Sequence, residues 1–579
     1  MKTVLVGINS KYIHSCLAIW YLKANAESSG IDGHEIIARE FTVNDMKDNI
    51  LNEIYKERPG ILAFSCYIWN IETVGLLARE VKKLMPHCRI ILGGPEVSYN
   101  AVQVLEEYSA VDFVVCGEGE EVFPKLHGAI VNNSGEYKKL RGIAFREGQS
   151  VIFNEGFNLV EDLDKINSPY RPEFMESVSN RIVYYESSRG CPFSCSYCIS
   201  STFNGVRYFS IDRVKQDLRA LLLYRPKLIK FVDRTFNCSK QRAKEIIKHI
   251  ISLECSTVFH FEAAADLFDN EMLDILGTAP KGRIQFEIGI QTVNAETLSE
   301  IDRVTHLDRL KANVGKLLDS GNMHIHVDLI AGLPYENLES FKKSFNEVYE
   351  MKPHQLQLGF LKMLKGSRIR NEAEKHGYIF KSYSPYEVLC NHYISFEEIL
   401  LLKDVEEVLE RYFNSNRFSN SLRFLEEGLF SSPFELYYRL SVFCRENEYL
   451  GRPLSYRENI STLYSFIKDH GAGDGFLEKF RQHMVFDFLS SDSSCSIPEC
   501  LKSERDVVPL DTIHQLLQDQ EIIKEYLPEF TGVQARNILK KVFFIKIPVI
   551  TGSQRLVLFD YTHKDVIMGT FRSVIISGI

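Results

Sequence analysis

The chain has 579 residues, of which 45% are hydrophobic and 25% are charged, and this composition excludes a fibrous repeat or an extensively disordered protein. Its formal net charge of −9 provides no global basic field, which argues against a nucleic-acid partner. The length exceeds what one hydrophobic core organises and indicates about three or four domains.

The N-terminal segment enters a strand-like run at once, without the charged region, apolar stretch and cleavage site of a signal peptide. The longest apolar runs are too short for a membrane-spanning helix, which needs about 20 residues. The 13 cysteines are an odd number spread along the chain, which suits a reducing compartment better than a disulfide framework. We therefore expect a cytoplasmic protein with no membrane segment.

Residues 1–140 are predicted to form a doubly wound α/β domain with a parallel sheet, because short apolar runs alternate with helix-like stretches. The predicted strands are Val4–Ile8, Glu35–Ala38, Ile61–Ser65, Arg89–Leu92 and Phe113–Cys116. Such sheets bind ligands at the carboxyl ends of their strands. The glycines found there are equally well explained as ordinary turn residues. The polar and glycine residues at these ends are Ser65, Tyr67, Gly93, Gly94, Glu118 and Gly119.

The middle of the chain is predicted to be a partial barrel. Residues 141–180 form a connector with a candidate hairpin at 143–154 and a boundary marked by prolines. Six βα units then predict a partial (β/α)6 barrel over residues 181–380, in which the loops after the strands carry the chemistry. Its predicted strands lie near Ile182–Glu186, Leu228–Asp233, Val258–Ala263, Ile284–Gln291, His324–Ile330 and Gln355–Leu361.

Residues 381–579 change to helix-rich segments and end in strand-like runs at Val542–Ile545, Leu556–Asp560 and Ser573–Ile576. This pattern predicts a helix-rich α+β accessory domain. None of its motifs indicates a function.

The segment that follows the first barrel strand contains Cys191, Cys195 and Cys198 in a C-x3-C-x2-C array. Soft thiolates this close together on a loop are typical ligands of iron–sulfur clusters. Three thiolates leave the fourth iron of a [4Fe–4S] cube open to a small molecule with an amine and a carboxylate. Structural zinc, the competing interpretation, takes four protein ligands, commonly as two separated pairs.

This array, with Tyr197 before its last cysteine, resembles the radical S-adenosylmethionine (SAM) superfamily. The resemblance implies that SAM binds the open iron and that the reduced cluster cleaves it to methionine and a 5′-deoxyadenosyl radical. It also implies an external one-electron reductant of the flavodoxin or ferredoxin type. For Glu262 an ordinary polar layer inside the barrel is the competing interpretation. The implied cofactor contacts are Tyr197, Asp233, Glu262, Gln291, Arg303, Ile330 and Gly332.

A parallel sheet placed before such a barrel resembles the cobalamin (B12)-binding radical SAM class. The resemblance makes Ser65, Tyr67, Gly93, Gly94, Glu118 and Gly119 candidate cobalamin contacts, because glycines let the backbone approach a large ligand closely. His14 lacks the flanking residues of the D-x-H-x-x-G cobalt-ligand pattern and is better explained as a capping or packing residue. Segments 9–14, 64–70, 361–366 and 559–561 resemble a bacterial group of such proteins with an uncharacterised C-terminal domain, the domain of unknown function 4080 type.

The resemblance implies methylation of an unactivated carbon of an unidentified small-molecule or peptide substrate. A cobalamin-dependent rearrangement or cyclisation without methyl transfer is one alternative, and it would form no S-adenosylhomocysteine. A methylthiotransferase-like enzyme with an auxiliary cluster on Cys16, Cys66 and Cys116 is another. Two of these cysteines, Cys66 and Cys116, lie in or beside predicted buried strands, where free cysteine behaves as a small hydrophobe.

Overall fold

The computed structural model describes residues 1–30, 34–203, 205–551 and 555–576. Within these ranges no helix combines the length and the apolar character that a bilayer crossing requires.

The first domain is a seven-stranded sheet with helices on both faces. Five parallel strands, in the order β2-β1-β3-β4-β5, continue into two antiparallel strands, β6 and β7. The strands are β1 (Lys2–Asn9), β2 (Glu35–Thr42), β3 (Ile61–Ser65), β4 (Arg89–Gly93), β5 (Phe113–Val115), β6 (Ile143–Glu147) and β7 (Ser150–Asn154). The helices are α1 (Leu17–Ser28), α2 (Lys47–Glu57), α3 (Ile71–Leu84), α4 (Ala101–Glu107) and α5 (Val122–Val131).

The central strands are continuous apolar runs because both of their faces are covered. Every residue of β3 is buried, as is nearly every residue of β1. The predicted doubly wound parallel sheet is confirmed. The hairpin predicted in the connector extends this sheet as β6 and β7, so residues 143–154 pack with the first domain.

The second domain is an open barrel of six parallel strands that pair in chain order. The inward side chains of the strand at 284–291 are half-buried and the outward ones are buried, so a core of apolar side chains lies outside the barrel and a lumen inside. The predicted partial barrel is confirmed. Its strands are β8 (Val183–Tyr185), β11 (Leu228–Phe231), β12 (Val258–Ala263), β13 (Ile284–Gln291), β14 (His324–Ala331) and β15 (Gln355–Phe360), with the hairpin β9 (Ser188–Cys191) and β10 (Gly205–Tyr208) after the first. The helices are α6 (Pro172–Ser177), α7 (Ile211–Leu222), α8 (Lys240–Ser252), α9 (Asn270–Gly277), α10 (Ala295–Glu300), α11 (Leu307–Asp319), α12 (Leu338–Tyr349) and α13 (Arg368–Asn371).

The C-terminal region is helix-rich, as predicted, and ends in a three-stranded antiparallel sheet. A small hairpin, β16 (Ile379–Phe380) and β17 (Val388–Cys390), leads into it. The helices are α14 (Phe396–Tyr412), α15 (Ser419–Gly428), α16 (Pro433–Glu446), α17 (Tyr456–Asp469), α18 (Asp474–Ser491), α19 (Leu510–Gln518), α20 (Gln520–Tyr526), α21 (Ala535–Ile538) and α22 (Pro548–Thr551), and the strands are β18 (Val542–Ile545), β19 (Leu556–Lys564) and β20 (Phe571–Ile576).

This region covers the open edge of the barrel. Just after α14, the Asn414 side chain accepts a hydrogen bond from the backbone N–H of Leu356 and donates one to its carbonyl, both at 2.9 Å. The amide therefore satisfies the edge-facing backbone groups of one β15 residue, Leu356. Unpaired edge strands invite aggregation, and the C-terminal helices remove that exposure.

The first sheet and the barrel face each other with their carboxyl strand ends, and buried polar contacts join them. The carboxylate of Glu96, after β4, receives the Tyr386 hydroxyl at 2.7 Å and the Lys365 ammonium at 2.8 Å. His14 Nδ1 and the Tyr184 hydroxyl are hydrogen bonded at 2.6 Å. These contacts fix the distance between the two sets of strand ends and leave a cavity between them.

Candidate cofactor and active site

The three clustered cysteines begin at the tip of a short hairpin at the mouth of the barrel. In β9 and β10, Cys191 pairs with Gly205. Gly190 has φ +96°, and a Cβ there would lie 2.3 Å from the Gly205 carbonyl oxygen. A glycine is therefore required immediately before the first cysteine, and the hairpin fixes where the loop starts.

The three thiols lie in different environments. Cys195 is buried and its Sγ lies 3.9 Å from Arg303 Nη1, whereas Cys191 is half-buried with its Sγ 3.6 Å from Thr235 Oγ1. Cys198 is also half-buried. Burial raises the pKa of the Cys195 thiol, and the Arg303 guanidinium opposes that shift.

The sulfur spacing argues against a single zinc ion. Among the described residues, these three sulfurs do not form a group within 4.8 Å of one another. One ion that binds each thiolate at about 2.3 Å would hold every pair within about 4.6 Å. A cube spreads its thiolates more widely because each one binds a different iron. The arrangement therefore fits a cluster better than a mononuclear site.

Asp233 lies just past β11 and holds the segment that leads to the cysteines. Its buried carboxylate accepts hydrogen bonds from the Ser187 backbone N–H at 3.0 Å, the Ser187 hydroxyl at 2.6 Å and the Ser188 hydroxyl at 2.5 Å. Burial raises the pKa of Asp233, and these hydrogen bonds oppose the shift. Both oxygens are occupied by the protein, which makes Asp233 a positioning residue for the loop.

A second group of polar side chains lies beside Cys195 at the ends of β13 and β14. Arg303 donates to the Gly289 carbonyl oxygen and, at 3.2 Å, to the Tyr197 hydroxyl. Gln291 has φ +74° at a register shift between β13 and β14. Gln291 Oε1, Arg303 Nε and Asp328 Oδ1 are buried and have no hydrogen-bond partner among the residues that the structure describes.

Buried polar atoms normally have hydrogen-bond partners. Three neighbouring polar atoms without such partners therefore indicate a ligand. SAM offers ribose hydroxyls, an ammonium and a carboxylate, which match two acceptors and a guanidinium donor. Burial and the neighbouring Glu287 and Glu262 carboxylates raise the pKa of Asp328 to about 8. The residues present therefore fit SAM.

An apolar surface adjoins this polar group. Ile330 and Tyr197 pack against a buried cluster that contains Leu333, Leu361 and Val388. Gly332 has φ +90°, and its carbonyl oxygen accepts hydrogen bonds from the Tyr378 hydroxyl and Asn391, both at 3.0 Å. A flat apolar group such as a purine fits against such a surface.

A cavity of about 730 Å³ lies between the two sets of strand ends. Gly94, with φ +111°, follows β4 and packs so closely against the backbone after β3 that a Cβ would come within 2.5 Å of the Cys66 carbonyl oxygen, so this position on the cavity wall requires glycine. All six predicted cobalamin contacts line the cavity: Ser65, Tyr67, Gly93, Gly94, Glu118 and Gly119. Gly190, beside Cys191, lines the same cavity.

Glu118 is held by arginines of the hairpin and the cluster loop. Arg207 forms two hydrogen bonds with its carboxylate, at 2.5 and 2.8 Å, and the Val160 N–H donates a third at 2.6 Å. Arg189 pairs with Glu120 at 2.6 Å and with Glu186 at 2.9 Å. The Arg207 pairs hold the pKa of Glu118 down against the effect of burial. This network ties the first-domain side of the cavity, which is the predicted corrinoid wall, to the cysteine hairpin.

Several residues that line the cavity were not predicted from the sequence. The rings of Tyr67 and Trp69 stack at 4.5 Å and 4°, with Trp69 43% exposed. On the barrel side, Lys230 and Arg234 line the wall. Such residues could be found from the sequence, because polar residues alternate with apolar ones along the barrel strands. A search for continuous apolar runs does not detect this alternation. His14 also lines the cavity, hydrogen bonded to Tyr184.

The structure does not favour an auxiliary cluster on the first domain. Cys16, Cys66 and Cys116 are buried, and they belong to two different hydrophobic clusters, Cys16 to one and Cys66 with Cys116 to the other. Desolvation raises the pKa of Cys16 and of Cys116 to about 12. Because these thiols lie in separate apolar environments, the structure does not bring them together as ligands for the methylthiotransferase-like alternative.

Three family models match the chain. The B12 binding domain matches residues 3–127, the radical SAM superfamily matches residues 185–348, and a domain of unknown function, DUF4080, matches residues 374–559. The chain therefore contains a B12-binding domain, a radical SAM domain and a DUF4080 domain. The predicted cofactors, cobalamin, a [4Fe–4S] cluster and SAM, are confirmed at the level of the domains that bind them.

Curated relatives of this B12-binding radical SAM protein include methyltransferases. The cobalamin-dependent radical SAM methyltransferase TokK of Streptomyces tokunonensis is 24% identical over 375 residues, which are 61% of this chain and 54% of the relative. The 2-(S-pantetheinyl)-carbapenam-3-carboxylate methyltransferase of Streptantibioticus cattleyicolor is 24% identical over 322 residues, 51% of this chain and 46% of the relative. The chain thus spans about half the length of these relatives.

A solved structure shares the fold. The cobalamin-dependent S-adenosylmethionine radical enzyme OxsB, with aqua-cobalamin and S-adenosylmethionine bound, matches with a TM-score of 0.57 and 15% identity over 84% of this chain and 78% of that one.

Proposed function

We propose that this protein is a cobalamin-dependent radical SAM methylase that acts on an unactivated carbon of a small-molecule or peptide substrate. When bound, the cluster with SAM supplies a 5′-deoxyadenosyl radical and cobalamin supplies the methyl group. The observation that carries the proposal is the shared cavity, which contacts both Gly94 of the corrinoid wall and Gly190 at the cysteine loop. The two related methyltransferases support the same chemistry.

The proposed cluster ligands are Cys191, Cys195 and Cys198. Arg303 would place positive charge beside the Cys195 thiolate and the SAM carboxylate, while Tyr197 and Gln291 hold its other polar groups. Ile330 and Gly332 would pack against the adenine. Because Asp233 is fully occupied by serine donors, its proposed part is to hold the loop. Glu262, on the cavity wall, would contact the bound ligands there.

For the corrinoid we propose the six residues that line the first-domain side of the cavity, Ser65, Tyr67, Gly93, Gly94, Glu118 and Gly119. Glu118 would act by holding the wall in place, since Arg207 and the Val160 N–H occupy its oxygens. We do not propose His14 as a cobalt ligand, because it lacks the flanking aspartate and glycine of the D-x-H-x-x-G pattern.

The test is anaerobic purification and reconstitution, followed by iron, sulfide and corrinoid analysis. SAM and a reductant of the flavodoxin or ferredoxin type are then added, and the nucleosides are resolved. We expect about four irons per chain, one corrinoid, and both 5′-deoxyadenosine and S-adenosylhomocysteine. Replacing the three ligand cysteines by alanine should abolish cluster absorbance and 5′-deoxyadenosine, whereas Cys255→Ala, a half-buried cysteine outside the site, should change neither.

Two results would count against the proposal in different ways. Cleavage of SAM by the triple cysteine variant would defeat the radical SAM assignment itself. Formation of 5′-deoxyadenosine with bound corrinoid and substrate turnover, yet no S-adenosylhomocysteine, would replace methylation by the rearrangement or cyclisation alternative.

A further inference from the structure

The lumen of the barrel is polar at almost every inward position. Side chains two apart on a strand share a face, and on β13 and β14 the half-buried, inward residues alternate with buried apolar ones. The inward side chains on these two strands include Gln285, Glu287, His324, His326 and Asp328. The neighbouring strands contribute Lys230 and Glu262, which line the cavity.

Deep in the lumen the charges compensate one another. The Glu287 carboxylate lies 3.0 Å from Lys230 Nζ and 3.0 Å from His260 Nε2. The hydrogen bond with His260, together with the Lys230 ammonium, lowers the pKa of Glu287 to about 2. This ion pair is satisfied within the protein and has little capacity to bind a further charge.

One cation at the top of the lumen does not take part in this ion pair. Arg234 follows β11, is exposed and lines the cavity. Its side chain has no hydrogen-bond or ion-pair partner in the part of the chain that the structure describes. Its charge acts on Glu262 from the barrel and on Tyr67 from the corrinoid wall. The guanidinium therefore sits between the two candidate cofactor sites.

We propose that Arg234 binds an anionic group, a carboxylate or a phosphate, of a polar small-molecule substrate, and that the Glu262 carboxyl contacts the donor groups of that substrate. This inference rests on the proposed function. A free guanidinium fits a planar carboxylate or a phosphate in a bidentate manner. A lipid substrate would have to desolvate Arg234, Glu262 and Lys230 without offering hydrogen bonds in return, which is unfavourable for each group.

The experiment uses the reconstituted holoenzyme and its Arg234→Gln and Arg234→Lys variants. Arg219→Gln is the matched control, since Arg219 is an exposed arginine on the outer helix α7. A cell extract is separated into a chloroform phase, an aqueous fraction that passes an anion exchanger and a fraction retained by it. Each is assayed for stimulated 5′-deoxyadenosine, with and without phosphatase treatment, which separates phosphate from carboxylate substrates.

We expect stimulation by the retained fraction and a tenfold or larger rise in the half-saturating amount for Arg234→Gln, as for loss of one charge-assisted hydrogen bond. Arg234→Lys should restore part of the affinity, and Arg219→Gln should match the unmodified enzyme. Iron and corrinoid content should be the same in all variants. Calorimetric titration with citrate and with inorganic phosphate provides a second measurement, in which Arg234→Gln weakens whichever anion binds.

Stimulation confined to the chloroform or unretained fraction would overturn the inference, as would equal responses from the Arg234→Gln and unmodified enzymes. Loss of corrinoid from Arg234→Gln would assign the guanidinium to the cofactor instead. If no fraction stimulates and neither anion binds, the inference also fails. The proposed function is judged separately, by the cysteine-dependent 5′-deoxyadenosine that the enzyme forms from SAM and reductant alone.

Discussion

The carboxylate of Asp233 provides a sharp test of how the barrel holds the cluster loop. It accepts one backbone and two hydroxyl hydrogen bonds from Ser187 and Ser188. An unsatisfied buried donor costs about 1–3 kcal/mol. The serine hydroxyls can rotate to new acceptors. We therefore count the full free-energy cost for the backbone N–H and only part of that cost for each hydroxyl. Asp233→Ala should then weaken the local structure by about 3 kcal/mol.

Asp233→Asn should be far milder. Its amide oxygen can accept from the Ser187 N–H while its NH2 donates to hydroxyls that have rotated to become acceptors. We expect a cost of about 1 kcal/mol or less for this variant. The comparison separates loss of the hydrogen bonds from loss of the negative charge.

Hydrogen–deuterium exchange of peptides over residues 187–198 measures this directly, because local opening sets their exchange rate. A loss of about 3 kcal/mol predicts exchange roughly 100-fold faster in Asp233→Ala, with reduced iron after reconstitution. Asp217→Ala is the control, since Asp217 is another buried carboxylate of the barrel, bound by Arg213 and Ser168. Exchange within threefold of the unmodified protein in Asp233→Ala would refute the positioning role.

Two glycine replacements should separate the cofactors. Gly190→Ala places a Cβ 2.3 Å from a carbonyl oxygen of the facing strand and should lower iron content while corrinoid binding persists. Gly94→Ala, with its Cβ 2.5 Å from the Cys66 carbonyl oxygen, should do the opposite, and equal losses in both variants would indicate general misfolding. Burial and neighbouring imidazoles lower the pKa of His324 to about 3 and of His326 to about 4. The unfolded chain therefore takes up protons first, and each histidine should cost stability by up to about 1.4 kcal/mol per pH unit below pH 6.5. Replacing both histidines by glutamine should reduce the fall in melting temperature between pH 6.5 and pH 5. An unchanged slope of melting temperature against pH would contradict this.

The elements of both α/β domains could be predicted because each depends on local pattern. Strands such as β3 are buried on both faces and form uninterrupted apolar runs, which stand out against the helices between them. The cysteines are equally local, since all three lie on one loop within eight residues of chain. The hairpin at 143–154 was recognised, but not that it extends the first sheet, because pairing with β5 is a long-range contact.

The roles of individual site residues were less accessible. Asp233 was expected at the cofactor, yet the fold turns its carboxylate toward Ser187 and Ser188. Lys230 and Arg234 belong to no sequence motif, and their roles in the cavity depend on which of them forms an ion pair within the protein. Glu287, on another strand, neutralises Lys230 and leaves Arg234 alone.

The amino-acid sequence by itself determined the order of the domains, because that order is encoded in local periodicity. The cysteine spacing predicted the cluster ligands, and the family resemblance indicated the kind of cofactors. Only the tertiary structure decided which polar groups are satisfied and which face a ligand. Within the described residues, Gln291 Oε1, Arg303 Nε and Asp328 Oδ1 are buried without hydrogen-bond partners, a property of contacts among separate strands that no stretch of sequence records. Hydrogen bonding and burial depend on neighbours distant in the chain, and the lumen therefore became visible only in the folded molecule.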